Sequence, residues 1–256
     1  LFLSIISFNI FAQKEDLRSM MKERNEFYFN FEIDDIQQLN KIANIISIDN
    51  VDGNKITAYA NNKQYERFLT LGIETTLLTP PSMLENHKMF DGRTRTEYDW
   101  DQYPTYEAYE AMMEEFAEDY SEYCTLIDLG TLNSGRKLLV ARINNGETEG
   151  KPKFFYSSTI HGDETTGFIM MLRLIETLLT QQDLPEVKNV LDNIDLFIAP
   201  NTNPDGTYHG GNHTVNGATR SNAYGVDMNR NYPDPIDGPH PDGEDYAYET
   251  ELMMQF

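Results

Sequence analysis

Residues 153–179, KFFYSSTIHGDETTGFIMMLRLIETLL, join an aromatic run, a short polar turn and a long apolar segment. The run Lys153–Ile160 predicts a strand, and residues 164–179 carry apolar side chains at helical spacing. Between them His161-Gly162-Asp163-Glu164 falls at the C-terminal end of the strand, where α/β sheets place their ligands. A histidine and a glutamate three apart on such a turn can direct one nitrogen and one carboxylate at a single metal ion, and zinc takes both at about 2.0–2.2 Å. The same spacing also fits a helix cap beside an incidental histidine, so this motif alone leaves both readings open.

The flanking sequence continues the alternation. A helix is predicted from Thr105 to about Tyr120, with Tyr109, Met112, Met113 and Phe116 on one face. Strands follow at Thr125–Gly130 and Leu138–Asn144, joined by a turn at Asn133–Arg136, and another strand at Ile194–Ala199. Strands separated by a full helix predict an α/β fold with a mixed, mostly parallel central sheet and helices on both faces. Residues 26–78 read as a small α/β accessory or pro-domain of β-α-β-β-α order. Its first strand is Phe27–Ile33, followed by a helix capped by Asp34 that carries Ile36, Leu39 and Ile42. Strands Ile45–Asp49 and Lys55–Ala60 flank the turn Asp52-Gly53-Asn54, and a second helix runs from about Asn62 to Gly72. Residues 79–96 form a proline- and glycine-punctuated linker, and 97–256 hold the larger domain.

Bulk properties exclude several classes. With 42 acidic against 20 basic side chains and a formal charge of −22, nucleic acid is not an expected partner. The single cysteine, Cys124, rules out an intrachain disulfide and a cysteine-based zinc site, and its apolar surroundings predict a core role. The apolar stretch Leu1–Ala12 is too short to span a bilayer and reads as a signal peptide remnant, so the protein is expected to be secreted or periplasmic. No later run reaches the ~20 apolar residues of a membrane helix, so no stable membrane insertion is expected. The oligomeric state is left open.

A second polar cluster lies in Arg220-Ser221-Asn222-Ala223-Tyr224-Gly225-Val226-Asp227-Met228-Asn229-Arg230-Asn231, a segment with little helical periodicity. Arginine grips a carboxylate through planar paired donors and a neighbouring amide adds another, so Asn229 and Arg230 suit a terminal carboxylate. Surface ion pairs are the bland alternative in so acidic a chain. These two clusters, with Asn201-Thr202-Asn203-Pro204-Asp205-Gly206 between them, resemble the zinc metallocarboxypeptidases, also called funnelins, from about Tyr103 to Phe256.

The resemblance implies zinc-dependent removal of C-terminal residues from a peptide or protein substrate with a free C-terminal carboxylate. It implies Zn2+ held by His161 and Glu164, and Arg220 as the group that polarises the scissile carbonyl. It further implies Asn229 and Arg230 as the carboxylate clamp and Asp227 as the aspartate that orients the zinc-bound histidine. The family's third ligand, a histidine, its substrate-contacting tyrosine and its catalytic glutamate have no match here and are expected beyond Phe256, so the domain is expected to be incomplete and this piece inactive alone. His240 sits in a turn-forming run that does not suit the missing ligand, while His87, His209 and His213 are read as linker or rim residues. Two alternatives stay open: a non-catalytic peptide-binding relative, and a zinc hydrolase acting on cell-wall peptides or N-acyl amino acids.

Overall fold

The computed structural model describes residues 16–92, 96, 98–236, 238 and 245–256. The expected leader at Leu1–Ala12 and the turn residue His240 lie outside the described residues. The chain forms two compact units, one of residues up to Leu84 together with Ala223–Asp245, the other of Glu85–Asn222 and Tyr246–Phe256.

The first unit opens with helix α1 at residues 16–24. Strand β1 (Phe27–Glu32), helix α2 (Leu39–Ala43), strands β2 (Ser47–Asp52) and β3 (Lys55–Ala60), helix α3 (Asn62–Leu69) and strand β4 (Thr75–Leu77) follow. The four strands pair antiparallel in the order β2-β3-β1-β4. Period-two spacing explains the core, because Phe27, Phe29 and Phe31 all point inward and are buried. They meet Tyr65 and Phe68 of α3, with the rings of Phe27 and Tyr65 stacked 4.0 Å apart. Helix α3 starts on a capping box in which Asn61 and Gln64 each bond the other's backbone N–H. The expected cap at Asp34 is not the one used. Asp35 accepts from the Gln37 N–H at 2.9 Å and opens a 3₁₀ turn, Ile36–Gln38, before α2. Strand β4 was not anticipated.

The second unit begins with short parallel strands β5 (Met89–Phe90) and β6 (Tyr103–Pro104). Helix α4 (Tyr106–Asp119), strands β7 (Cys124–Thr131), β8 (Lys137–Ile143) and β9 (Lys153–Ser157), and helices α5 (Thr165–Thr180) and α6 (Pro185–Asn193) come next. Strand β10 (Asp195–Ala199), the single turn α7 (Pro204–Thr207) and helix α8 (Tyr248–Gln255) complete it. The sheet order is β7-β8-β10-β9. Only β9–β10 is parallel among these pairs, so the described sheet is mixed rather than mostly parallel. The tight turn between β7 and β8 forces that pair to run antiparallel.

Helices α4 and α5 cover one face, where Tyr109, Met112, Phe116, Phe168 and Leu172 pack with Leu139, Ile143 and Ile198. On the other face Leu252 of α8 meets Leu138, and the Phe256 ring lies 5.4 Å from that of Phe197. Cys124 is buried in this core, and burial pushes its thiol up to about 12, which suits the structural role.

Candidate active site

At the C-terminal end of β9 the chain reverses in a tight turn before α5. Thr159, although β-branched and buried, takes φ +58°, a conformation that costs on the order of 1–3 kcal/mol. Its hydroxyl donates to the Glu164 carbonyl at 3.3 Å, which ties the turn shut. His161 is buried, and its Nδ1 lies 2.8 Å from Oε1 of Glu164. Glu164 is the N-cap residue of α5, yet its side chain makes no capping hydrogen bond and is 60% exposed. Its carboxylate faces His161 and, at 3.8 Å, Nη1 of Arg220. The helix-cap alternative therefore does not describe this carboxylate.

Arg220 is 8% exposed, so its guanidinium charge acts where water screens it little. Its backbone is pinned from two sides: the Arg220 carbonyl accepts from the Gly162 N–H at 3.1 Å and from Nδ2 of Asn203 at 3.2 Å. An open cleft of about 440 Å³ adjoins the turn and is lined by Tyr103, Ser158, Thr159, Asp163, Glu164 and Thr165 among others. One imidazole nitrogen and one carboxylate oxygen in direct reach, beside a fixed cation, match the donor chemistry of zinc. Among the described residues no group of three His, Cys, Asp or Glu side chains converges.

The remaining candidates lie in the first unit, on the segment beginning at Ala223. Asp227 precedes a 3₁₀ turn, Met228–Arg230, and its Oδ1 accepts from the Asn229 N–H at 3.0 Å. Its Oδ2 accepts from the Ser47 hydroxyl at 2.7 Å. Asn229 is exposed, and Arg230 donates from Nη1 to the Asn229 carbonyl at 3.2 Å. Asp227 and Arg230 border a cavity of about 50 Å³ whose other walls include Ile46, Ser47, Lys63 and Arg67. His209 and His213 are exposed, in keeping with rim residues.

Sequence reasoning passed over three residues that organise these regions. Ser47 carries no motif. Asn203 stands in a motif that gives it no role of its own, although it is wholly buried. Arg136 was assigned to a turn, yet it donates to Asp205 at 2.7 Å, Asn212 at 2.9 Å and the Tyr208 carbonyl at 3.0 Å. The Asn-Ser-Gly-Arg turn and the Asn-Pro-Asp-Gly motif lie far apart in the sequence, so no local pattern signals that contact.

Comparison with known proteins bears on the same region. A family model described as zinc carboxypeptidase matches residues 109–252. Mouse (Mus musculus) carboxypeptidase M is 34% identical over 135 residues, which cover 50% of this chain and 30% of that protein. Human (Homo sapiens) carboxypeptidase D is 36% identical over 132 residues, 49% of this chain and 9% of that protein. The chain thus spans less than a third of the length of these relatives. Carboxypeptidase A from Helicoverpa armigera shares the fold with a TM-score of 0.60 at 19% identity, over 90% of this chain and 66% of that one. With its mixed α/β sheet and its family match across more than half its length, the chain belongs to the zinc carboxypeptidase family.

Proposed function

We propose that the protein carrying this chain hydrolyses the C-terminal peptide bond of peptides or proteins in a zinc-dependent reaction, outside the cytoplasm. The observation that carries the reading is the Glu164 carboxylate, which sits at a helix N-cap position but turns to His161 Nδ1 at 2.8 Å, with Arg220 beside it. His161 and Glu164 are assigned as two zinc ligands. When bound, zinc supplies Lewis acidity and activates water at neutral pH.

The chain's own groups then have separate tasks. Arg220 presents a permanent positive charge in a poorly hydrated setting, suited to negative charge growing on a carbonyl oxygen. Asn229 and Arg230 hold the substrate's terminal carboxylate, which fixes the register so that only the last peptide bond is presented. Asp227 is assigned to orient the zinc-bound histidine.

The test uses the full-length protein, zinc-saturated, on a blocked peptide with a free C-terminus and on its C-terminal amide. Release of the last residue from the acid alone, with a loss of at least about 100-fold in kcat/KM for Arg230→Ala, is expected. Binding of the free acid without cleavage would favour the non-catalytic relative. Cleavage of N-acyl amino acids or cell-wall peptides in place of ordinary peptides would move the assignment to that substrate class.

A further inference from the structure

We infer that Asn203 is a positioning residue that holds Arg220 against the His161 turn, an inference that rests on the zinc carboxypeptidase reading above. Three segments far apart in sequence meet at this side chain. Its Nδ2 donates to the Ile160 carbonyl at 3.2 Å and to the Arg220 carbonyl at 3.2 Å. Its Oδ1 accepts from the Gly206 N–H at 2.9 Å, capping α7. One amide group thus ties the residue before His161, the residue assigned to the scissile carbonyl, and the turn that bears the Asn-Pro-Asp-Gly motif.

The junction leaves almost no room for adjustment. A Cβ on Gly162 would lie 2.4 Å from the Gly206 carbonyl carbon, and one on Gly206 would lie 2.6 Å from the Ser221 carbonyl oxygen. The backbones therefore touch directly, and the amide supplies a donor to the Ile160 carbonyl and a second donor to the Arg220 carbonyl beside the Gly162 N–H. Asn203 is itself held, because its N–H donates to Oδ1 of Asn201 at 3.1 Å and it is 0% exposed. A side chain so placed sets the angle at which Arg220 leaves the junction without touching any substrate.

The experiment compares Asn203→Asp with wild type in the full-length protein, alone and combined with Arg220→Ala. Aspartate keeps the shape and the acceptor for Gly206, and it replaces the donor by a carboxylate oxygen that faces the Ile160 and Arg220 carbonyls. At saturating zinc kcat is expected to fall about 100-fold, with KM within about twofold. Zinc affinity, read by chelator competition without any turnover, is expected to fall about tenfold. In the Arg220→Ala background the kcat effect of Asn203→Asp should shrink below about threefold while the zinc effect persists, because the two residues act as one unit in catalysis. Equal effects on kcat in both backgrounds would overturn the inference, as would an unchanged kcat. If Asn203→Asp does not fold, Asn203→Ala takes its place, and failure of both to fold would also overturn it by making the residue one of stability. An inactive wild type would instead sink the carboxypeptidase reading and leave this outcome distinguishable.

Discussion

The two regions that bear candidate site residues are held by different means. Around His161 backbone lies against backbone: Gly162 donates to Arg220, Thr219 donates to Gly206 at 2.9 Å, and no Cβ fits at either glycine. The segment from Ala223 is tied by side chains of the first unit. Asn25 Nδ2 donates to the Tyr224 carbonyl at 3.1 Å, Asn61 Nδ2 to the Gly225 carbonyl at 2.8 Å, and Ser47 to Asp227 at 2.7 Å. Backbone junctions are stiff and fail together, whereas side-chain ties can be cut one at a time. The proposed metal-binding turn belongs to the first kind, and the proposed carboxylate clamp to the second.

This contrast orders the effects of substitution. Gly162→Ala should have the largest, a loss of about 4 kcal/mol in denaturant unfolding, since the new methyl meets backbone atoms that cannot rotate away. A loss under about 1 kcal/mol would mean that the junction yields and the contrast is wrong. Arg136→Ala should cost about 3 kcal/mol, because it strands the Asp205 carboxylate, 5% exposed, from its partner. The guanidinium also lies 5.9 Å from the ring centres of Tyr106 and Tyr208, so lysine should restore only part of the loss. Ser47→Ala should cost about 1 kcal/mol and do so locally. Hydrogen exchange should quicken at the Asn229 and Arg230 amides while those of β8 and β10 stay protected, and uniform quickening would contradict a separable tie.

The smallest effects concern pH and two buried carboxylates shifted in opposite directions. The bidentate bond from Arg142, at 2.8 Å to each oxygen, holds the Asp195 carboxyl below its usual range. Its contribution is therefore present above the unfolded value near 3.8 and is lost as pH falls through the folded value. Burial pushes Glu249 the other way, against the bonds it accepts from Asn222 at 3.2 and 3.3 Å. Its contribution falls as pH rises from about 4.5 through the raised folded value. Unfolding curves of Arg142→Ala and Glu249→Gln across this acid range should each lose the matching slope.

Much of this architecture was legible because it depends on local period. The Phe27, Phe29 and Phe31 alternation and the Tyr109, Met112, Met113 and Phe116 face both bury as their spacing requires. The strand–turn–helix around His161 was legible for the same reason. Helix α6 was not, since only Val187 and Leu191 of its short span turn inward. The aromatic run of β9 reads as a covered strand, yet Phe154 and Tyr156 are 53% and 45% exposed, because in this chain β9 lies at the end of the described sheet. Asn203, Arg136 and Ser47 were illegible for a stronger reason. The partners that join them to other segments lie 17 to 180 residues away, and no local pattern encodes which distant group a buried amide, guanidinium or hydroxyl will meet.

Zinc affinity of the full-length protein tests the proposed ligands His161 and Glu164. Chelator competition should give tight stoichiometric binding in the wild type and a loss of at least about 100-fold in both His161→Ala and Glu164→Ala, with folding retained. Wild-type affinity in either variant would remove that residue from the ligand set.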